Sequence, residues 1–174
     1  MKIPTLSRLL EDQLKDLYSA ETQLVKALPR MAKKSSSDSL KQAILAHLEE
    51  TKHQAERLKE IAGSLGIKLT GKTCQAMEGL IEEGSEVIEA EGPGPVIDSA
   101  LIFAAQRVEH YEISAYGSAL ALANHLEHTE VVGLLQETLD EESAADEKLS
   151  LISLEQIFPS AAGEEEDDEE EEEA

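Results

Sequence analysis

Residues 104–117 read AAQRVEHYEISAYG, and their spacing decides the fold. Every third and fourth residue through this stretch gives Leu101, Ala105, Val108, Glu112, Ala115, Ala119, Leu122 and Leu126. That is an apolar helical stripe with one acid at its centre and a second, Glu109, one turn before it. An ionised carboxylate buried without a partner costs several kcal/mol. Something else in the chain must neutralise Glu112.

The other long periodic segments carry the same anomaly. Residues 4–33 read as a helix with seam Leu10, Leu14, Leu17, Glu21, Leu24, Leu28 and Met31. Pro4 suits a first turn, whereas Pro29 should kink or loosen the last turns. Ser35, Ser36, Ser37 and Asp38 form a turn rich in N-cap residues. A second helix, about Leu40 to Leu65, has the stripe Leu40, Ile44, His47, Thr51, Leu58, Ile61 and Leu65, with Glu50 on its flank. Residues 66–95 are a long connection with one short helical piece, roughly Thr73 to Ala90. The third helix covers about Val96 to Leu126. A fourth follows the turn at Glu127-His128 and runs to about Phe158, just before Pro159. Its seam is Val131, Leu135, Thr138, Glu142, Ala145, Leu149 and Ile152.

Residues equidistant from the turn of an antiparallel hairpin lie at one level. Glu21 and Glu50 average to position 35.5, inside the serine turn; Glu112 and Glu142 average to 127, inside the second turn. Glu109 and Asp146 average to 127.5. Glu112 follows Glu21 by 91 positions and Glu142 follows Glu50 by 92, so the two hairpins repeat. The fold class is all-α, two antiparallel hairpins joined by a long crossover that carries a short helix. This is the connectivity of ferritin-like four-helix bundles, whose dinuclear centres are built from glutamates and Glu-x-x-His pairs on facing helices. Glu50-x-x-His53 has that spacing, while the equivalent position after Glu142 is Ala145 and the next polar residue is Asp146. Glu109-x-x-Glu112 resembles the paired acids of rubrerythrins. Two divalent cations balance four to six carboxylates, and oxygen-rich ligation with one or two imidazoles suits iron, with manganese as the alternative.

Composition bounds the remaining function classes. The chain has 174 residues, enough for one domain with a substantial core, and only 3% aromatics. The net charge of −22 includes ten consecutive acids, Glu164 to Glu173; without them 15 basic residues face 27 acidic ones, a balance of −12. Nucleic acid is a poor partner for such a chain. No apolar run is long enough to span a membrane. The single cysteine, Cys74, cannot form an intramolecular disulfide and suits a reducing compartment, so the expected location is cytoplasmic. A helical domain over residues 1–159 and a disordered acidic tail over 160–174 are expected.

The blocks LYSAETQLVKALP (17–29), HLEET (47–51), AMEGLIEE (76–83), AAQRVEHYEISAYG (104–117) and ETLDEESAADEKL (137–149) resemble the YciF-like bacterial stress proteins. The resemblance spans roughly residues 3–155 and implies a ferritin-like fold associated with stress conditions. The activity consistent with it is oxidation of ferrous ion by oxygen or peroxide, or peroxide removal. The candidate metal ligands are Glu21, Glu50, His53, Glu109, Glu112, Glu142 and Asp146, with His47 as the alternative imidazole or a hydrogen-bonded core histidine.

Two bland readings stand beside the metal centre. The central acids could belong to an ion-pair network with Arg57 or Arg107, although two arginines cannot balance four to six acids. The bundle could also be non-catalytic, acting through dimerisation or partner binding. A homodimer is expected from the small residues Ala46, Ala55 and Ala62 and from the crossover stripe Met77, Leu80, Ile81 and Ile88. Tyr18 and Tyr116 read as packing residues within reach of Glu21 and Glu112.

Ten adjacent acids hold no apolar group to bury, and ordering them would cost about 1–2 kcal/mol per residue. A chain ending at Ser160 should therefore melt within a few degrees of the full protein. A large loss of stability that salt does not change would show instead that the tail docks on the bundle.

Overall fold

The computed structural model describes residues 3–162. They form five α-helices with no strand among the described residues: α1 Leu6–Lys34, α2 Asp38–Leu65, α3 Gln75–Glu89, α4 Gly94–His125 and α5 Thr129–Ile152. Each begins or ends where the local chemistry allows. Thr5 caps α1 by accepting from the Arg8 N–H, and Ser37 caps α2 by accepting from the Leu40 N–H. Gly66 ends α2 at φ 66°, a left-handed conformation in which a side chain is strained. Pro95 sits in the first turn of α4, where its missing N–H costs nothing.

Helices α1 and α2 form one hairpin and α4 and α5 the other, with α1 packing on α4 and α2 on α5. The crossover helix α3 lies against α1 and α4. Its Met77 is fully buried, and Leu80, Ile81 and Ile88 pack partly buried against the same core. The bundle thus covers the crossover stripe only in part. Of the α2 alanines expected at a dimer surface, Ala55 and Ala62 are buried and Ala46 is exposed.

The core has two parts. Leu24, Leu28, Leu40, Ile44, Leu101 and Ile102 belong to one apolar cluster. Leu10, Leu14, Leu17, Leu58, Ile61 and Leu135 belong to the other. Along each of α1, α2, α4 and α5 the polar residues of the seam fall between these two sets, so the acids form a layer inside the bundle.

Helix α1 runs through Pro29 to Lys34, its last turns lacking the backbone hydrogen bond that the proline cannot donate. The expected end of the fourth helix fails. Helix α5 does not stop before Pro159. It widens into a π turn, Ser153–Ile157, and residues 158–162 are again helical. The wider turn directs the Phe158 N–H to the carbonyl of Ser153, five residues back. Such a bulge changes which carbonyl faces the proline ring. The helix therefore covers the first residues assigned to the acidic tail, while Glu164 to Glu173 lie outside the described residues.

One buried acid ties the hairpins together. Asp98, in the second turn of α4, accepts from the Ser36 N–H at 2.9 Å, the Ser37 N–H at 2.7 Å and the Ser36 hydroxyl at 2.7 Å. Gly94 permits this approach, because a Cβ there would lie 2.7 Å from the Ser36 hydroxyl oxygen. Asp98→Ala should cost about 2–4 kcal/mol, since it strands three donors in the α1–α2 turn. Asp98→Asn, which keeps one carbonyl acceptor, should cost less. Denaturant unfolding of both variants checks the order, and wild-type stability in Asp98→Ala would remove the clamp.

Candidate metal centre

Four carboxylates meet midway along the bundle. Glu21 comes from α1, Glu109 and Glu112 from α4, and Glu142 from α5. None is more than 2% exposed. Helix α2 contributes His47, Thr51 and Gln54, all buried. One ligand atom each from His47, Glu109, Glu112 and Glu142 lie within 4.8 Å of one another. His47 Nε2 is 3.4 Å from Glu109 Oε1 and 3.8 Å from Glu142 Oε2.

The polar neighbours satisfy only part of this layer. The Tyr116 hydroxyl donates to Glu21 Oε1, and Gln54 Nε2 donates to Glu142 Oε1. Glu21 Oε2, His47 Nε2, Glu109 Oε2, both oxygens of Glu112 and Glu142 Oε2 are buried with no hydrogen-bond partner among the described residues. Native folds scatter only a few such orphans per hundred residues, whereas here six lie in one layer. Burial, followed by the charges of the neighbouring glutamates, pushes the carboxyls of Glu21, Glu109 and Glu112 well above their ordinary range. For His47, burial opposes the charge. The Glu50 hydrogen bond and the surrounding carboxylates outweigh it and raise the imidazole above its usual value.

The arginines do not enter the layer. Arg57 is engaged by Glu141 at 2.6 Å, Glu137 at 2.7 Å and Thr138 at 3.1 Å, and Arg107 is exposed. No arginine forms an ion pair with Glu21, Glu109, Glu112 or Glu142 among the described residues.

Three residues expected at the centre lie elsewhere. Glu50 is half exposed and reaches the layer only through His47, whose Nδ1 lies 3.4 Å from Glu50 Oε2. That contact leaves Nε2 facing the acids, the arrangement in which a carboxylate orients a ligating imidazole. The hairpin repeat explains the displacement. An offset of 91 from Glu142 lands on Thr51, not Glu50, and Thr51 occupies the seam with its hydroxyl bonded to His47 O at 2.8 Å. His53 is exposed, because it projects roughly 130° from the seam defined by His47, Thr51 and Gln54. Asp146 pairs instead with Gln106 at 2.9 Å and with His110 at 3.4 Å, at the outer edge of α4 and α5. The Glu-x-x-His pair on α2 is therefore not used as such. Gln54 escaped the sequence reading although it extends the seam from His47 by seven positions and from Thr51 by three.

This layer has a thermodynamic signature in metal-free protein. An acid with a raised folded-state pKa stays protonated in the fold at a pH where it ionises in the unfolded chain. The unfolded state then binds fewer protons, so stability falls as pH rises above the ordinary glutamate value of 4.5. The raised His47 pKa acts in the same direction above 6.5. Metal-free protein should thus lose melting temperature between about pH 5 and 8, and Glu112→Gln should flatten that slope and melt higher at the alkaline end. Equal slopes for the two proteins would show that the glutamate layer does not control the pH response.

Comparison with known proteins places the chain. Residues 5–162 match the family described as "Domain of unknown function (DUF892)". The chain is 45% identical to Protein YciF of Escherichia coli (strain K12) over 158 residues, covering 90% of this chain and 95% of that protein. The crystal structure of the E. coli stress protein YciF superposes with a TM-score of 0.85 at 46% identity, over 87% of this chain and 96% of the other. YcfI from Rhodopseudomonas palustris gives a TM-score of 0.83 at 42% identity, over 86% and 95% of the two chains. A protein from Xanthomonas campestris pv. campestris, at 18% identity, shares the fold with a TM-score of 0.73 over 92% and 99%. No helix among the described residues is long and apolar enough to cross a membrane. An all-helical bundle, a buried glutamate–histidine layer and this similarity over nearly the whole described length lead to one conclusion: the chain belongs to the DUF892 family, as a relative of the E. coli stress protein YciF.

Proposed function

We propose that the chain is a ferritin-like bundle whose buried layer holds two iron ions, with manganese as the alternative, and that the centre reacts with oxygen or peroxide in stress defence. The observation that carries this reading is the set of six unpartnered ligand atoms on Glu21, His47, Glu109, Glu112 and Glu142. Four buried carboxylates carry the charge that two divalent cations balance. Oxygen donors with one imidazole suit iron or manganese better than a thiolate-seeking metal. The description of one relative as a stress protein fits the same role.

In this reading the residues divide the work. Glu21, His47, Glu109, Glu112 and Glu142 hold the ions, and a ferrous pair supplies the electrons that reduce the oxidant. Glu50 orients His47 through Nδ1 and leaves Nε2 as the donor atom. Tyr116 and Gln54 each occupy one oxygen of a glutamate and direct the other into the layer. Leucine and isoleucine on both sides keep bulk water from the centre.

A second reading, a non-catalytic bundle acting by self-association, has one observation behind it. Phe103, Leu151, Leu154 and Phe158 are exposed, and Phe103 and Phe158 meet edge to face at 6.2 Å. Such a surface suits a second copy of the chain.

Metal analysis separates the two. Purified protein loaded with ferrous ion should hold about two equivalents per chain, as expected for a ferritin-like centre. Glu112→Ala and Glu142→Ala should each lose at least one. Ferrous ion at a hundred times its dissociation constant should stabilise the wild type by about 2.7 kcal/mol. Unchanged stoichiometry in both variants, or no melting shift in the wild type, would overturn the metal centre and leave the self-association reading.

A further inference from the structure

Beside the glutamate layer, between α2 and α5, lies a cavity of about 160 Å³. Leu28, Ile44 and Leu149 supply apolar wall, and Ala43, Ala105 and Ala145 leave the space open because they are small. His47 and Glu109 line it as well, each bearing a buried polar atom without a partner, Nε2 and Oε2. Glu50 and Lys148, both solvent-accessible, line its outer part and carry opposite charges.

The volume is larger than oxygen or peroxide requires. An apolar protein cavity of about 150 Å³ holds a benzene ring. The lining is mainly apolar, yet one side offers a carboxylate oxygen and an imidazole nitrogen, both in need of a hydrogen-bond partner. A hydroxyl group suits that side because it both donates and accepts. An anion does not, because Glu109, Glu50 and Glu141 line the cavity and the remaining layer glutamates lie close behind.

We infer that this cavity binds a small uncharged molecule of the phenol class, its ring among Leu28, Ile44 and Leu149 and its hydroxyl turned toward His47 and Glu109. The walls come from the chain alone, so the site does not require metal; because His47 and Glu109 also serve the proposed centre, a bound hydroxyl and the ions compete for Nε2 and Oε2.

The test is a titration of full-length protein with phenol, benzene and benzoate, followed by calorimetry and by the shift of side-chain methyl resonances. It is run on metal-free protein and again after ferrous loading, which should weaken phenol by engaging His47 and Glu109. Phenol should bind saturably at one site per chain and more tightly than benzene, while benzoate should fail to saturate. Ala145→Leu fills the cavity and should weaken phenol at least about tenfold, with the melting curve and ferrous stoichiometry retained. Ala43→Leu, on the facing helix, provides the same test if Ala145→Leu does not fold. Absence of saturable binding, phenol affinity unchanged from the wild type in both filled variants, or benzoate binding as well as phenol would overturn the inference. Phenol binding lost with metal retained, or metal lost with phenol binding retained, separates the fate of this site from that of the metal centre.

Discussion

Four carboxylates share one layer of an otherwise apolar interior, and the rest of the structure depends on how their charge is managed. Glu21, Glu109, Glu112 and Glu142 sit between two hydrophobic clusters and are almost wholly excluded from water. An ionised pair a few ångströms apart in that environment repels strongly, and four are worse. The chain's own groups offset this only in part: one imidazole, one amide and one phenol contact the layer. Protonation can settle the remainder at a cost in stability that grows with pH. Divalent cations can settle it at neutral pH without that cost.

The helices hold this arrangement against its own repulsion. Each acid projects from the middle of a long helix, several turns from the nearest end, where the backbone cannot relax without breaking the flanking leucine contacts. Asp98 locks the α1–α2 turn to the start of α4, which couples the two hairpins at one end of the bundle. The crossover helix closes the α1–α4 face through Met77 and its partly buried neighbours. Stability lost at the centre is therefore recovered on both sides of it. A cluster retained at such expense is more readily understood as a site than as structure.

The α2–α5 side is built differently. There Ala43, Ala144 and Ala145 line a cavity together with Glu50, Glu141 and Lys148. Packing of α1 on α2 and of α4 on α5 supports the layer, and the α2–α5 side leaves a volume next to it. Arg57, bridging α2 to Glu137 and Glu141 of α5, ties those two helices together on the surface without filling the space between them.

Periodicity alone located Glu21, Glu112 and Glu142, because an acid in a leucine seam must be buried once the helix packs. The number of helices, their pairing and the crossover were legible for the same reason. The contribution of α2 was not. Its seam carries His47, Thr51 and Gln54 where a single acid would have marked the level, and a one-residue difference in the hairpin repeat exchanged Thr51 for Glu50. Glu50, His53 and Gln54 are neighbours in sequence, yet at 100° per residue they face the rim, the solvent and the core. Which of them met the acids depended on the rotation of α2 about its own axis, and that rotation is set by packing against α1 and α5. The turn spacing likewise indicated a level for each acid but not the hydrogen bonds of Tyr116 and Gln54, nor the volume beside His47. The sequence by itself determined that charge would be buried at mid-bundle; only the tertiary structure decided which oxygens and nitrogens are left without partners, because that follows from the relative rotation of four helices and not from the spacing along any one of them.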